Sequence, residues 1–527
     1  MAAANLSEAS TATGVDGHGS SGDSISDPPA DQAAIFRPGE AASQPEEAGL
    51  AEKGRSGGED GDAFAVDWDG PTDPANPRNW SRTRKTASVV LVSCFVFYSN
   101  LATTMFAPGA DSLAKEFGVT NDTVIALTVT IAVLGFSMGP LVFAPASELF
   151  GRVPIYNVCG TIYVAFTIGL ALSKNVAMFL VFRFICGCAA SAFMTCGGGT
   201  IADLLPPQER GRAAAVFSAG PLLGPVIGPI IGGFVTEKIG WRWTFWLITI
   251  VSGIVTSVAA ILMRETNASV LLSRKAARLR KETGNDNYHP INEKNIPVKQ
   301  LVRRALVRPL RMLVFSPMVL LIALYLALIF GMMYLLFATF PSVFQDTYGF
   351  NEGISGLCYL GLGLGLVIGL QMFGRLSDRL LQPRNGDQVN QTVRPERRLI
   401  LMMWFCPAVP AGIFWYGWTT YYKTHWIVPI IGTGFIGLGA LFIFTSPQVY
   451  MMDMFGPEGA ASALGAITLV RNLSGAFLAL AAPSLYARLG LGWGNSVLGF
   501  IILAFTPVPF LFYRYGEWLR DRFPVKL

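Results

Sequence analysis

The 527-residue chain is short of charge: Lys, Arg, Asp and Glu make up 14% of it, against about a quarter in a soluble domain, while 52% is hydrophobic. That shortage excludes water as the main solvent. Histidine is scarcer still, and His18, His289 and His425 all fall outside the long apolar runs, which excludes a buried histidine relay. Carboxylates are missing from the centre of every apolar run; Glu148, Asp203, Asp378 and Asp453 stand at or near run ends. The seven cysteines (Cys94, Cys159, Cys186, Cys188, Cys196, Cys358 and Cys406) lie inside the runs, where they act as small buried hydrophobes. Cys186 and Cys188 diverge by about 200° on a helix and have no histidine beside them, so no metal site and no disulfide framework are expected. A Gly-Lys nucleotide loop, a catalytic constellation and a basic nucleic-acid face are also missing, which argues against an enzyme and against a nucleic-acid partner. The start of the chain lacks a charged segment leading into a short apolar one, so no cleaved signal peptide is expected and the first apolar run must direct the chain to the membrane.

What is present is a series of apolar runs of roughly 20 residues, the length a helix needs to cross about 30 Å of hydrocarbon. They are predicted near 86–108, 123–145, 153–173, 176–202, 211–235 and 243–263, then near 316–341, 352–372, 398–418, 425–451, 459–484 and 493–515. The fold class is therefore an all-α membrane protein of twelve transmembrane helices in two six-helix halves. The segment 76–263 forms the N-terminal half, 316–515 the C-terminal half and 516–527 a short tail. Between the halves, 264–315 holds Arg264, Arg274, Lys275, Arg278, Arg280, Lys281, Lys294, Lys299, Arg303, Arg304, Arg308 and Arg311, a basic and partly helical loop. The first 70 residues carry fourteen acidic side chains against Arg37, Lys53 and Arg55, net −11, which leaves +16 on the rest of a chain of net charge +5. Rich in Gly, Ser, Ala and Pro, residues 1–75 are expected to form a disordered acidic tail.

Basic residues fix the expected sidedness, because loops rich in Lys and Arg stay in the cytoplasm. Arg78, Arg82, Arg84 and Lys85 precede the first span, Arg152 follows the second, Arg210 and Arg212 the fourth, and six arginines from Arg375 to Arg398 follow the eighth. Both termini are placed in the cytoplasm. Asn121-Asp122-Thr123 is then the sequon facing outward, a weak glycosylation candidate so close to the second span. The halves repeat one another: Ser147-Glu148-Leu149-Phe150-Gly151-Arg152 follows the second span and Gly374-Arg375-Leu376-Ser377-Asp378-Arg379 the eighth. An acidic residue with arginine at a short turn suits a helix-end cluster that pairs in one conformation and parts in another. A plain topology anchor is the simpler reading of the arginines alone.

Four features carry mechanism. Arg183 lies about seven residues into the fourth span, too deep to reach water easily, so it should face the bundle interior or a wet cavity. Four-residue steps from it give Gly187, Ser191, Thr195 and Gly199, a small, weakly polar stripe fit for a cavity wall or a close helix contact. Arg471, near the middle of the eleventh span, poses the same problem. The fifth span has Gly220, Gly224, Gly228 and Gly232 on one face, with Pro221, Pro225 and Pro229 interleaved and Gly233 following. Such a helix admits another backbone closely and has lost several internal hydrogen bonds. Aromatic and Met residues crowd the seventh and tenth spans; Asn100, Ser191, Thr195, Tyr334, Phe337 and Gln448 are the candidates for the wall of a substrate cavity.

From about Asn76 to Gly516 the chain resembles the twelve-span drug:proton antiporter family of the major facilitator superfamily, in its fungal multidrug and toxin exporter branch. Asn76-Pro77-Arg78-Asn79-Trp80 resembles that branch's entry motif. Ser147 to Arg152 resembles the superfamily's loop motif, with Glu148 where many members have Asp. Arg183 to Gly187 is similar to the fourth-span motif whose arginine is implicated in proton coupling, and Gly220 to Gly233 to the motif that separates exporters from uptake porters. Tyr450, Asp453, Ser462, Arg471 and Gly475 continue the pattern. The resemblance implies alternating access, export of a drug, toxin or endogenous secondary metabolite, and a proton gradient in place of any cofactor. It implies coupling or gating roles for Arg183, Glu148, Arg152, Asp203, Asp378, Arg379 and Arg471, a functional monomer in the lipid bilayer, and residence in the plasma membrane. The alternative is an uptake symporter or facilitator for a polyamine, sugar or organic acid. Against a sugar porter, Arg264-Glu265-Thr266-Asn267 stands where Pro-Glu-Ser-Pro-Arg would be expected.

Overall fold

In hydrocarbon every backbone N–H and C=O must be satisfied within its own segment, which leaves apolar runs of this length the helix. The computed structural model describes residues 64–206, 209–291, 298–381 and 395–522. Six long helices come first: Arg82–Met105, Asp122–Leu149, Arg152–Ala171, Val176–Leu204, Arg210–Ile239 and Arg242–Leu262. The seventh span is Pro317–Tyr348, and the eighth is Glu352–Leu357 continued as Tyr359–Leu381. The ninth reaches Ala408–Tyr421 through the short helices Pro395–Leu399 and Ile400–Phe405. Ile427–Phe477 is a helical stretch of 51 residues that holds the tenth span, Ile427–Phe455, and runs on into the eleventh.

By length and composition, eleven helical stretches among the described residues can cross a bilayer. The last of them, Ser462–Arg520, is 59 residues long, and Gly490 interrupts it with φ 68° and ψ 174°. A positive φ of this kind is open to glycine with little strain. That stretch is therefore two spans, which brings the total to the expected twelve. Helix ends are fixed by local chemistry: the side chains of Asn121, Asn175 and Asn351 accept from the N–H groups of Thr123, Met178 and Ile354 at the starts of the second, fourth and eighth spans.

Each half has its own apolar core. In the N-terminal half Phe95, Tyr98, Tyr156, Tyr163 and Phe193 pack ring against ring, and Phe106, Phe179, Trp241 and Phe245 form a second aromatic group. In the C-terminal half Phe337 stacks on Tyr359, and Phe340 meets both Tyr359 and Tyr416. The end of the bundle that carries the 264–315 segment is called the loop side below, and the opposite end the far side.

Helices Ala268–Thr283 and Val298–Phe315 occupy much of the basic segment, as its composition suggested. Ala65–Val66 pairs in parallel with His289–Pro290, and Phe64 meets Tyr288 edge-on at 5.7 Å. Lys275 donates to the Asp67 carbonyl at 2.8 Å and pairs with Asp69 at 2.5 Å. Two backbone N–H groups, of Asp69 and Ala75, hold the Asp73 carboxyl below its usual range. Residues 64–75, expected within the disordered tail, are thus ordered against the loop helix; the partners lie some 200 positions away, beyond the reach of local composition. The expectation for residues 1–63 lies outside the described residues, as does that for 523–527.

Candidate functional site

The fifth span builds the first part of the site. A Cβ placed on Gly220 would stand 2.9 Å from the Phe97 nitrogen, and one on Gly224 2.8 Å from the Leu101 nitrogen. One on Gly228 would stand 2.6 Å from the Leu101 carbonyl oxygen, and Gly232 lies directly against the Met105 carbonyl. The glycine stripe is therefore a seam along the first span, backbone to backbone, over three turns. The prolines complete it. Pro229 has no N–H to offer the Pro225 carbonyl one turn back, and the Thr104 hydroxyl of the first span donates to that oxygen instead, at 3.1 Å. The helix stays continuous through Pro221, Pro225 and Pro229. Gly233 faces the other way, onto the backbone of Glu352 and Gly353 at the start of the eighth span.

Arg183 is 3% exposed, at the interior position its depth required. Its Nη2 donates to the Thr103 carbonyl at 2.9 Å, its Cζ lies 5.5 Å from the Phe106 ring and 5.4 Å from the Phe245 ring, and its buried Nε has no hydrogen-bond partner among the described residues. A cavity of ≈ 20 Å³, measured to water centres, adjoins it, lined among others by Ser99, Thr103, Tyr163 and Thr167. That is room for a water molecule. The stripe below Arg183 proves to be a helix contact. Gly187 lies on the Ala132 carbonyl and Ser191 against Gly139, both of the second span, while Gly199 makes room for the Arg152 guanidinium.

Arg471 answers Arg183 from the other half. Its Cζ sits 4.7 Å over the Phe330 ring, its buried Nε too has no hydrogen-bond partner among the described residues, and Phe330 in turn packs on Tyr334 at 4.8 Å. Nearby, Ser137 of the second span donates to the Leu469 carbonyl of the eleventh at 3.2 Å.

On the loop side Arg152 joins Asp203 at 3.4 Å and donates to the Ser147 hydroxyl at 2.6 Å. Glu148, beside them in sequence, points out and is exposed, so the carboxylate that Arg152 meets comes from the end of the fourth span and not from its own turn. The residue that sequence reasoning missed is Glu265. Only 7% exposed, it accepts from the N–H groups of Arg152, Val153, Thr266 and Asn267 at 2.9 to 3.2 Å, capping the third span from the end of the sixth. Gly151, at φ 101°, lies where a side chain would strike that carboxylate. A signal existed: a helix opening Gly151-Arg152 with no side-chain cap of its own needs one from elsewhere.

The C-terminal half repeats the ion pair with different residues. Arg398, at the entry to the ninth span, pairs with Asp453 near the end of the tenth at 2.9 Å, as Arg152 at the start of the third pairs with Asp203 at the end of the fourth. Asp378 and Arg379 lie on the last turns of Tyr359–Leu381, with side chains outside the described residues.

On the far side the halves are tied directly. Ser112 donates to Glu352 at 2.6 Å, the Gly353 N–H donates to Glu237 at 3.1 Å, and Gly356 abuts the Pro229 carbonyl. Among the cavity candidates, Asn100, Thr195 and Gln448 are half-buried and Tyr334 is buried beside the arginines. Ser191 and Phe337 are buried and packed between helices, against Gly139 and Tyr359. Asn121 is occupied as a helix cap, its carbonyl oxygen accepting from Thr123 N–H at 2.9 Å.

The fold of twelve spans in two halves has counterparts among known proteins. The family model of the Major Facilitator Superfamily matches residues 90–479, and the chain belongs to that superfamily. The chain is 59% identical over 469 residues to the MFS transporter fsa7 of Fusarium sp. (strain FN080326), covering 89% of this chain and 92% of the relative. It is 54% identical over 462 residues to the trichosetin biosynthesis cluster MFS transporter of Gibberella fujikuroi, covering 88% and 90%. Among solved structures, the partially occluded inward-open xylose transporter XylE from E. coli aligns with TM-score 0.59 at 14% identity over 82% of this chain and 98% of that one. A bacterial homologue of the lysosomal transporter Spinster aligns with TM-score 0.56 at 13% identity over 84% and 99%. At such identities the solved structures speak to the fold alone. The protein is a membrane transporter.

Proposed function

We propose that this transporter exports a small amphipathic organic compound, driven by protons moving inward, by alternating access of its two halves. The observation that carries export is the fifth span: four glycines seated on the first span and three prolines interleaved, in the pattern that the resemblance associates with exporters. The basic loops support a topology with both termini and the 264–315 segment in the cytoplasm, and the plasma membrane as the site of residence. On that topology the far-side contacts of Glu237, Glu352 and Ser112 close the outer face. The names of the relatives support a cargo of the secondary-metabolite kind, made by the same cell.

Arg183 and Arg471 stay charged at physiological pH and so tune a proton carrier without being one. Arg152 with Asp203, and Arg398 with Asp453, are gating pairs that part as the loop side rearranges. The chain acts as a monomer. The test is accumulation of a panel of fluorescent drugs and metabolites in a strain without its major exporters. Expression should lower accumulation of at least one compound, and a protonophore should abolish the effect. Raised accumulation, or indifference to the protonophore across the panel, would overturn the export reading.

A further inference from the structure

The two helices of the basic loop differ in a way their charge does not explain. Ala268–Thr283 buries its apolar residues Val270, Leu272 and Ala276, and part of its charge is paired, Lys275 with Asp69 and Arg278 with Glu282. Val298–Phe315 has no acidic residue at all against Lys299, Arg303, Arg304, Arg308 and Arg311. It turns Met312 and Pro309 inward, touching the second span and the tenth-to-eleventh helix, yet leaves Leu306, Val307, Leu310, Val314 and Phe315 exposed, Val314 at 73% and Phe315 at 61%.

On a helix the exposed residues fall together. Leu306, Leu310 and Val314 are four apart and lie along one line, with Val307 beside it; Arg303 sits among them and Arg311 flanks them, while Arg308 is on the opposite, half-buried side. Both Arg303 and Arg311 are exposed. Phe315 is followed by the extended Ser316, and the seventh span starts at Pro317, so this apolar line ends where a span enters the bilayer. An apolar line bordered by exposed positive charge, continuous with a transmembrane helix, fits a surface that is itself apolar beneath and negative above.

We infer that Val298–Phe315 lies on the membrane surface of the loop side and binds anionic phospholipid, its apolar line in the acyl boundary and its arginines on the headgroups. This holds whichever way cargo moves; it takes only the name of that side, the cytoplasmic leaflet, from the topology proposed above. Each basic residue at an anionic surface contributes roughly fivefold to affinity, so an Arg303→Gln/Arg311→Gln double variant should lose about 25-fold.

The test uses the purified full-length protein in a neutral detergent, with thermal unfolding followed as dioleoylphosphatidylserine or dioleoylphosphatidylcholine is added. The serine lipid should raise the melting temperature of the native chain more than the choline lipid does, and the double variant should lose that increment while keeping its response to the choline lipid. An equal response of the native chain to the two lipids, an increment retained by the double variant, or the same increment from soluble phosphoserine would overturn the inference. A nitroxide on Leu310→Cys, in vesicles of the two lipids mixed, tests placement with both arginines intact. Greater collision with oxygen than with a water-soluble nickel chelate is expected; the reverse order would overturn it.

Discussion

A guanidinium buried at mid-helix with no carboxylate partner among the described residues needs another source of stabilisation, and Arg183 finds it in the Thr103 carbonyl and two aromatic faces. A hydrogen bond from a charged group is worth roughly 1.5–3 kcal/mol, and ring contacts with a desolvated cation about 2. Arg183→Ala should therefore reach the membrane but lose transport by about tenfold or more, read as initial efflux rate normalised to surface protein. Arg183→Lys keeps the charge and loses the planar fork, so it should fall between the two. Full transport by the alanine variant would remove Arg183 from the mechanism. Glu265 works differently, through four backbone N–H groups at the start of the third span and the turn after the sixth. Its replacement by Ala should cost roughly 1–2 kcal/mol, a fall of a few degrees in melting temperature, with Gln recovering part of it.

At the scale of the element, the first–fifth seam makes sharper demands than composition suggests. Gly228→Val would drive a side chain into the Leu101 carbonyl and Thr104, and should abolish transport and lower stability. Gly211, on the same helix with nothing within 4 Å of its Cβ position, provides the control: Gly211→Ala should be neutral or slightly stabilising. Thr104→Val keeps shape but leaves the Pro225 carbonyl without a donor, at a cost of roughly 1–3 kcal/mol seen in thermal unfolding in detergent. The glycine face was readable in the sequence because small residues four apart have few other uses. That the first span would be its partner was not readable, since nothing in the first span marks it as the surface that glycines need. The helix-end charges show the same divide. Arg152 and Asp203 could each be named, but their pairing could not, because sequence distance hides a contact made across 51 residues. Its counterpart, Arg398 with Asp453, spans 55, and comparing those two separations would have found the repeat that Asp378 and Arg379 were assigned.

Across the whole molecule, twelve spans were legible from apolar length alone, and Gly490 divides the last helical stretch into two crossings. Which faces meet was not legible, because a helix surrounded by lipid and by other helices is apolar all round and carries little moment to read. On the far side the halves meet through close glycine packing, Gly233 on Glu352 and Gly356 on the Pro229 carbonyl, together with two polar ties, Ser112 with Glu352 and Glu237 with the Gly353 N–H. Replacing Glu237 and Ser112 together by Ala should widen the separation of spin labels on the far-side ends of the fifth and eighth spans. An unchanged distance distribution would mean that the packing of Gly233 and Gly356 holds that end unaided.

The strand pair between residues 65–66 and 289–290 has a mechanical meaning. The loop helix beside it begins at Asn267, whose side chain donates to the Ser147 carbonyl at the end of the second span, and Lys275 on that helix grips Asp67 and Asp69. Trp68 therefore rides in the reference frame of the N-terminal half. On the alternating access proposed above, a fluorophore at position 68 would see its own neighbours stand still while the C-terminal half sweeps past, a ready vantage point for timing the cycle.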